Sequence, residues 1–272
     1  MRKKAISLLL SAFLLFSFAS CGRNSQQVDA TVPEDTSLSA PVTEETTETT
    51  TAEATTIGVT RVVYPVLSRD ESNSYSFLMS EYSTTYKVSE TERTVNLETA
   101  VSAVNNIVLQ PGDIFSFNQI VGKRTITRGY RTAKVIINGE FDDGLGGGVC
   151  QVSSTLFNAV LLSNLEIVER TNHSVKIGYV PVGYDATVQW NTKDFQFKNN
   201  YDFPVKVTMN CGKGRVWARI YSQNPVTLPH ITFSLSHGGD DVYTLVRLAD
   251  GAANFTTKSK YKVPGENTTK RP

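Results

Sequence analysis

Residues 144–164 read GLGGGVCQVSSTLFNAVLLSN, in which a glycine-rich loop runs directly into a long apolar stretch with one cysteine, Cys150. The apolar residues after Cys150 are nearly continuous, which is typical of a helix that is buried on most of its faces. Glycine permits positive φ angles and close approach of another chain, so the loop predicts a tight turn before the helix. The stretch therefore predicts a buried helix over residues 150–164 that starts at Cys150.

The flanking sequence predicts one more helix and many short strands. Apolar residues at helical spacing predict an amphipathic helix near residues 94–110, which ends at the Pro-Gly pair 111–112. Alternating segments between Gly, Pro and Asn turns predict antiparallel strands. These lie at residues 114–117, 132–137, 167–170, 175–180, 186–190, 205–209 and 216–221, with two or three more between 231 and 263. The predicted fold class is α+β, an antiparallel β-sheet packed on the buried helix.

The composition excludes several functional classes. Of 272 residues, 40% are hydrophobic, which is enough to build a core. The 27 basic and 26 acidic residues nearly balance, so the chain lacks the positive charge typical of nucleic-acid binders. Three cysteines and three histidines exclude a disulfide scaffold and leave little material for a zinc site. We expect no nucleic-acid partner, no metal and no cofactor.

The first sixty residues predict export and a membrane tether. Basic residues at positions 2–4 precede an apolar run over residues 5–19, which is too short to span a bilayer and typical of a signal peptide. The run ends in FASCG at 18–22, which resembles a bacterial lipobox. We therefore expect removal of residues 1–20 and lipidation of Cys21, which would hold the protein at the extracytoplasmic face of the bacterial cell membrane. An ordinary secretory signal, in which Cys21 is incidental, is the alternative.

Changes in pattern divide the rest of the chain. The Thr- and Glu-rich composition of residues 21–60 predicts a disordered tether. We expect an extended segment at 61–90, a principal domain at 91–225, a β extension of the same domain at 226–265 and a disordered tail at 266–272.

Cys150 has the setting of a nucleophilic thiol. Unpaired N–H groups at the start of a helix favour a thiolate and can stabilise the oxyanion of a tetrahedral intermediate. The helix after Cys150 rises about 22 Å at roughly 1.5 Å per residue. An extended return to His173 covers about 27–30 Å at roughly 3.3 Å per residue, so His173 comes back to the level of Cys150 as a candidate base. Asp185 and Asp194 both remain candidates for the carboxylate that orients it.

Two other roles for Cys150 remain open. A free cysteine is often a buried structural thiol, and outside the cytoplasm Cys150 can pair with Cys211. Cys211 lies in a predicted hairpin turn, which is a poor position for such a bridge. Residues 123–134 carry five cations, which predict either a solvated face or a rim that binds carboxylates of an anionic peptide or glycan.

Ordered motifs between residues 90 and 225 resemble the VanW family. They are PGDIFSFN at 111–118, RGY at 128–130, GGGVCQVSSTL at 146–156, HS at 173–174, GYDAT at 183–187 and DFQFKN at 194–199. The family includes peptidoglycan L,D-transpeptidases. The resemblance implies an enzyme that joins the third residues of two peptidoglycan stem peptides through a thioester. It implies Cys150 as nucleophile, His173 as base and Asp185 as the third member.

The expected partners are peptidoglycan stem peptides and, through Cys21, the membrane; the sequence predicts no particular oligomeric state. The predicted substrate-binding residues are Arg128, Arg131, Gly147, Gly148, Gln151 and Ser153. Two alternative functions remain open. One is a cysteine amidase or endopeptidase acting on peptidoglycan, and the other is a non-catalytic wall-binding module linked to glycopeptide resistance.

Overall fold

The computed structural model describes residues 67–137 and 140–262. The predicted signal peptide, Cys21, the predicted tether and the predicted tail lie outside these residues. The helices are α1 (Thr91–Val104), α2 (Phe117–Val121) and α3 (Val149–Leu162), with a 3₁₀ turn at Ile126–Arg128. The strands before α3 are β1 (Ser68–Arg69), β2 (Phe77–Thr85), β3 (Ile107–Leu109), β4 (Ile114–Ser116), β5 (Thr132–Ile137) and β6 (Glu140–Leu145). Those after α3 are β7 (Glu166–Glu169), β8 (Gln196–Lys198), β9 (Val205–Gly212), β10 (Arg215–Ser222), β11 (Ile231–Gly238), β12 (Val242–Ala249) and β13 (Ala252–Lys260).

Antiparallel pairing organises these strands into sheets around the helices. A five-stranded sheet has the order β1-β3-β9-β10-β2, and two three-stranded sheets have the orders β4-β8-β7 and β11-β12-β13. β5 and β6 form a separate hairpin that leads into α3. Mixed helices and antiparallel sheets confirm the α+β class. Within the described residues, no helix is long and apolar enough to cross a membrane.

The helix α3 forms the centre of the hydrophobic core. It packs against β2 and β10 of the five-stranded sheet and against α1. Its apolar side chains are almost completely buried, namely Val149, Val152, Leu156, Phe157, Ala159, Val160 and Leu161. Each large apolar side chain buried in this way contributes about 1.5–3 kcal/mol to stability. The continuous apolar pattern of this segment therefore reflects burial on nearly every face.

The strands β11–β13 pack on the same core. Leu245 of β12 is fully buried within it, and Phe255 of β13 contacts the edge of Phe157 of α3 with ring centres 6.4 Å apart. Arg247 donates from Nη1 to the carbonyl oxygen of Leu165 at 2.9 Å and to that of Leu161 at 3.3 Å. The C-terminal sheet thus covers the end of α3 and satisfies the carbonyl group of Leu161 in its last turn.

The predicted helix at residues 94–110 is wrong at its C-terminal end. The helix α1 ends at Val104, Asn105 is extended, and Asn106 has a φ of 62°. Asparagine tolerates this left-handed conformation, and the chain then turns into the buried strand β3. Apolar residues at 107–109 fit either a helix or a buried strand, and pairing with β1 and β9 selects the strand.

Two predicted strands, at residues 175–180 and 186–190, are also wrong. Both segments are irregular, apart from a single bridge between Gln189 and Lys193. Their backbone is held by individual hydrogen bonds, such as the one from the N–H of Thr187 to the carbonyl oxygen of Thr171 at 2.8 Å. This bond aligns the segment before residue 173 with the segment after residue 185.

Candidate active site

The glycine-rich loop fixes Cys150 in the first turn of α3. Gly148 is the N-cap, with a φ of 109°, a region that L side chains rarely adopt. A Cβ atom on Gly147 would lie 2.5 Å from the carbonyl oxygen of Lys134, so only glycine fits against the backbone of β5. Gly147 and Gly148, which the sequence predicts to bind substrate, therefore hold the start of α3 in place against the β5–β6 hairpin.

The thiol of Cys150 is free, partly exposed and surrounded by polar groups. Its Sγ lies 3.6 Å from Oγ1 of Thr187, and the backbone of Val188 contacts it through both the carbonyl oxygen at 3.4 Å and the N–H at 3.5 Å. Cys211 is also free and donates to the hydroxyl of Tyr86 at 3.5 Å. The alternative of a Cys150–Cys211 disulfide is therefore wrong.

A polar stripe on α3 holds the segment that carries Asp185. Ser154 and Asn158 lie one helical turn apart and are buried. Oγ of Ser154 accepts from the N–H of Ala186 at 3.0 Å, and Nδ2 of Asn158 donates to the carbonyl oxygen of Tyr184 at 2.8 Å. The backbone on both sides of Asp185 is thus bonded to the helix that begins at the thiol.

His173 is buried and bonded to Asp185 at two points. Its Nδ1 lies 2.6 Å from Oδ2 of Asp185, and its backbone N–H donates to the same oxygen at 2.6 Å. The other ring nitrogen, Nε2, lies 3.4 Å from the hydroxyl of Tyr179. Sequence reasoning missed Tyr179, which lies in an irregular segment and belongs to no motif.

Asp194 has a different role from Asp185. Its carboxylate accepts from the hydroxyl of Ser116 at 2.5 Å and from the backbone N–H of Asn118 at 2.9 Å. These contacts join it to the start of α2. Of the two carboxylates left open by the sequence, the structure brings Asp185 to His173.

The electrostatics of the site favour a thiolate beside an imidazolium. Burial raises the pKa of the Cys150 thiol, but a hydrogen bond and charge from His173, with hydrogen bonds from Val188 and Thr187, outweigh it and lower this pKa from 9.0 to about 7. Burial lowers the pKa of His173, but Asp185 and Cys150 outweigh it and raise this pKa from 6.5 to about 9. A thiolate and an imidazolium therefore coexist between these two values.

Asp185 is held in turn by Arg170 and Tyr261. The guanidinium of Arg170 donates from Nη2 to Oδ1 of Asp185 at 3.1 Å, and the hydroxyl of Tyr261 donates to the same oxygen at 2.6 Å. Arg170 also donates from Nη1 to Ser259 of β13 at 2.8 Å. Burial raises the pKa of Asp185, and His173 and Arg170 outweigh it, so the pKa is lowered and the group stays a carboxylate. No sequence motif predicts a role for Arg170 or Tyr261 in the site.

Two of the predicted substrate-binding residues are bonded inside the protein. Gln151 is buried, and its Nε2 donates to Oγ1 of Thr84 at 3.0 Å while its Oε1 accepts from Arg93 at 2.7 Å. Ser153 is buried and donates to the carbonyl oxygen of Ala186 at 2.7 Å. Both side chains fix the helix start against its neighbours.

The other two predicted substrate-binding side chains, Arg128 and Arg131, are exposed. Arg128 donates from Nη2 to the carbonyl oxygen of Val121 at 2.8 Å, and Arg131 lies 3.8 Å from Glu92. Over residues 67–137 and 140–262, no group of three or more His, Cys, Asp or Glu side chains is arranged to hold a metal ion.

Comparison with known proteins gives matches in the part of the chain that contains this site. The family model described as "VanW like protein" matches residues 92–221. The chain is 42% identical over 148 residues to "Uncharacterized protein YoaR" of Bacillus subtilis (strain 168), which covers 54% of this chain and 49% of that protein. It is 26% identical over 148 residues to "Vancomycin B-type resistance protein VanW" of Enterococcus faecalis (strain ATCC 700802 / V583), which covers 53% of each. The chain thus spans about half the length of these curated relatives. No solved structure matches it.

Proposed function

The chain carries a VanW-like domain over residues 92–221, and from this premise we propose that it is a cysteine-dependent L,D-transpeptidase of the bacterial cell wall. The observation that carries the proposal is the arrangement of a free thiol, Cys150, in the first turn of α3 with His173 bonded through Nδ1 to Asp185 at 2.6 Å, and the lowered pKa of the thiol supports it. A nucleophilic thiol needs ionisation, a proton-transfer partner and access, and this arrangement supports all three.

In the first half of the proposed reaction, the Cys150 thiolate attacks the carbonyl carbon of the third residue in a donor stem peptide. A tetrahedral oxyanion forms, and backbone N–H groups at the start of α3 are suited to stabilise it. The carbon–nitrogen bond to the terminal D-alanine then breaks, and the His173 imidazolium protonates the leaving amine. The products are free D-alanine and a thioester on Cys150.

In the second half, the side-chain amine of a diamino residue from another stem attacks the thioester. The now neutral His173 accepts the proton from this amine, and the Cys150 thiolate leaves. An amide joins the third residues of the two stems. The thioester conserves the energy of the broken amide, so the reaction needs no ATP, and no step requires a metal.

The proposal includes a location and a partner. We propose that lipidated Cys21 anchors the chain at the extracytoplasmic face of the membrane and that residues 21–60 let the domain reach the wall. The exposed guanidinium groups of Arg128 and Arg131 are suited to contact acidic groups of stem peptides. One relative is named for vancomycin resistance, which motivates a second candidate function, a wall-binding role in glycopeptide resistance without catalysis.

The decisive experiment is mass spectrometry of muropeptides after incubation of the full-length protein with tetrapeptide stems. The wild-type chain is expected to form an acyl adduct on Cys150 and then cross-linked dimers, and Cys150→Ala is expected to form neither. Shortened stems without dimers would assign the same site to a hydrolase. If the wild-type chain yields no adduct, no dimer and no shortened stem, the enzyme assignment is wrong.

A further inference from the structure

Arg124 lies against the loop that precedes the nucleophile. A Cβ atom on Gly146 would lie 3.0 Å from Cγ of Arg124, so the aliphatic part of this arginine packs directly on the loop. The guanidinium carbon lies 5.8 Å from the ring centre of Phe117. Arg124 belongs to the run of cations at residues 123–134, but unlike Arg128 it points into the protein and is largely buried.

The other side of Arg124 is bonded to the segment that follows Val188. Its Nη1 donates to Oδ1 of Asn118 at 2.7 Å. Asn118 in turn donates from Nδ2 to the carbonyl oxygens of Lys193 at 2.8 Å and Gln189 at 3.2 Å. Gln189 directly follows Val188, whose backbone contacts the thiol. Arg124 is therefore held between the two segments that flank the sulfur of Cys150.

One nitrogen of this guanidinium is buried without a protein acceptor. Nη2 of Arg124 is shielded from solvent and has no hydrogen-bond partner among the residues that the structure describes. By contrast, the other buried arginine of the site, Arg170, donates from Nε to the carbonyl oxygen of Asp185 and from both terminal nitrogens to further acceptors. An unpaired buried donor is costly, and more so on a charged group, so a ligand oxygen that pairs with it gains affinity.

The charges around Arg124 indicate that it is coupled to the nucleophile. Burial lowers the pKa of the Arg124 guanidinium, and the charge of Cys150 acts in the opposite direction. The position of Arg124 itself rests on its packing against the loop that precedes Cys150 and on its hydrogen bond to Asn118.

We propose that Arg124 forms a carboxylate subsite beside Cys150, which binds the free carboxylate of the residue that the donor peptide loses. The identity of that residue rests on the proposed function, whereas the position of the subsite does not. In a donor cleaved at its last amide, the terminal carboxylate is separated from the leaving nitrogen by one carbon. Consecutive Cα atoms are about 3.8 Å apart, so a group next to the sulfur reaches this carboxylate. A peptide that continues beyond the scissile amide offers Nη2 a neutral carbonyl oxygen in place of a carboxylate, so the subsite favours the chain end through the charge of the contact.

The first test measures the subsite without any peptide. Iodoacetate and iodoacetamide both alkylate a thiolate with loss of iodide, and they differ by a carboxylate in place of an amide. The ratio of their rates on Cys150 cancels the fraction of ionised thiol, so a change in the pKa of Cys150 does not affect it. We expect Arg124→Gln to lower the iodoacetate-to-iodoacetamide ratio by about tenfold, the effect of one charge-assisted hydrogen bond.

The matched control is Arg215→Gln, which removes the same charge from an exposed arginine bonded to Ser83. We expect this variant to keep the wild-type ratio. Arg124→Lys keeps the charge but loses the planar guanidinium, so it is expected to give a ratio between those of the wild type and Arg124→Gln. If Arg124→Gln does not fold, the ratio of Arg124→Lys still tests the subsite. A wild-type ratio in the folded Arg124 variants, or an equal fall in Arg215→Gln, overturns the subsite.

The second test uses tetrapeptide stems with a free or an amidated C-terminus. Arg124→Gln is expected to lower kcat/KM about tenfold on the free acid and much less on the amide, since the amide never made the charged contact. An equal loss on both substrates would instead mean that Arg124 stabilises the oxyanion, and it overturns the carboxylate assignment. If the wild-type chain processes neither peptide but Arg124→Gln still lowers the iodoacetate-to-iodoacetamide ratio, the proposed function fails while the subsite stands.

Discussion

Asp185 accepts hydrogen bonds from both the backbone N–H and the imidazole Nδ1 of His173, and both contacts are 2.6 Å long. The two bonds fix the position and the ring orientation of His173 with one carboxylate oxygen. With Nδ1 bonded to Asp185, Nε2 is the ring nitrogen left for the thiol, and the hydroxyl of Tyr179 lies 3.4 Å from it. The reactivity of Cys150 therefore depends on a residue 35 positions away in the chain.

The first prediction follows from this pair. We expect Asp185→Asn to raise the pKa of the Cys150 thiol above about 7, because a neutral amide no longer supports the imidazolium. The loss in kcat is expected to be on the order of 10⁴, as for the same change of the orienting carboxylate in another triad. The pH dependence of alkylation by iodoacetamide measures the thiol pKa directly.

The matched control for this change is Asp194→Asn. This variant replaces one of the two oxygens that accept from Ser116 and Asn118 with an amide nitrogen that cannot accept, and it is expected to lower the midpoint of thermal unfolding. It is not expected to change the thiol pKa. An equal shift of the thiol pKa in both variants would show that Asp185 acts only through general stability.

The second prediction concerns pH. The pKa of Cys150 is lowered to about 7, so the thiolate accumulates as the pH rises through that value. The pKa of His173 is raised to about 9, so the proton for the leaving amine is lost as the pH rises through that value. We expect the rate of acylation by a tetrapeptide donor to form a bell between about pH 7 and about pH 9.

Alkylation by iodoacetamide separates the two limbs of this profile. It requires the thiolate but no proton donor, so it is expected to rise through about pH 7 and not to fall above pH 9. An acylation rate that follows alkylation up to pH 10 would exclude His173 as the acid.

The third prediction tests the C-terminal sheet as a support of the site. Tyr261 donates to Oδ1 of Asp185 and accepts from the N–H of Gly183 at 2.9 Å. We expect Tyr261→Phe to cost about 1–3 kcal/mol in the free energy of unfolding, because it leaves the buried N–H of Gly183 without a partner while Arg170 still donates to Asp185. We also expect a fall in kcat with little change in KM and a raised thiol pKa. Tyr201→Phe, which removes the bond to the carbonyl oxygen of Ser163, is the control and is expected to affect stability alone.

Local pattern was sufficient to predict the burial of α3 and its start, which at Val149 is one residue before the predicted one. A continuous apolar run after a glycine loop has few other solutions, and the lengths of helix and return segment brought His173 back to the thiol. The strand at 107–109 and the irregular segment around residues 175–190 were not predictable in this way. Their structures depend on pairing with β9 and on side chains of α3, which are distant in the chain.

The residues that bond to Asp185 were equally unpredictable from the sequence. Tyr261 and Asp185 are 76 residues apart, and Arg170 reaches β13 across a similar distance. Arg170 and Tyr261 lie in segments that the sequence predicts as strands, but a strand pattern does not indicate which side chains reach a carboxylate distant in the chain. The choice between Asp185 and Asp194 likewise depended on turns whose geometry is set by the bonds from Ser154 and Asn158.

The fourth prediction tests whether the glycine-rich loop positions the start of α3. Gly147→Ala places a Cβ atom 2.5 Å from the carbonyl oxygen of Lys134, and backbone on both sides resists a shift. We expect a cost of about 1–3 kcal/mol in the free energy of unfolding, together with slower alkylation of Cys150. Gly212→Ala, where nothing lies within 4 Å of the added Cβ, is the control and is expected to be close to neutral. Alkylation of Cys150 at the wild-type rate in a folded Gly147→Ala variant would mean that the loop does not determine the reactivity of the thiol.

The last prediction separates the two described cysteines by reactivity. Burial raises the pKa of the Cys211 thiol, whereas the pKa of Cys150 is lowered to about 7. At pH 7.5 the Cys150 thiol is therefore mostly ionised, and a limiting amount of iodoacetamide is expected to label it at least about tenfold faster than Cys211. Peptide mapping by mass spectrometry after proteolysis measures both sites, and Cys211→Ser is expected to leave the rate at Cys150 unchanged. A bridged Cys150–Cys211 peptide in protein purified without reductant, or preferential labelling of Cys211, would contradict the free, ionised thiol on which the proposed chemistry depends.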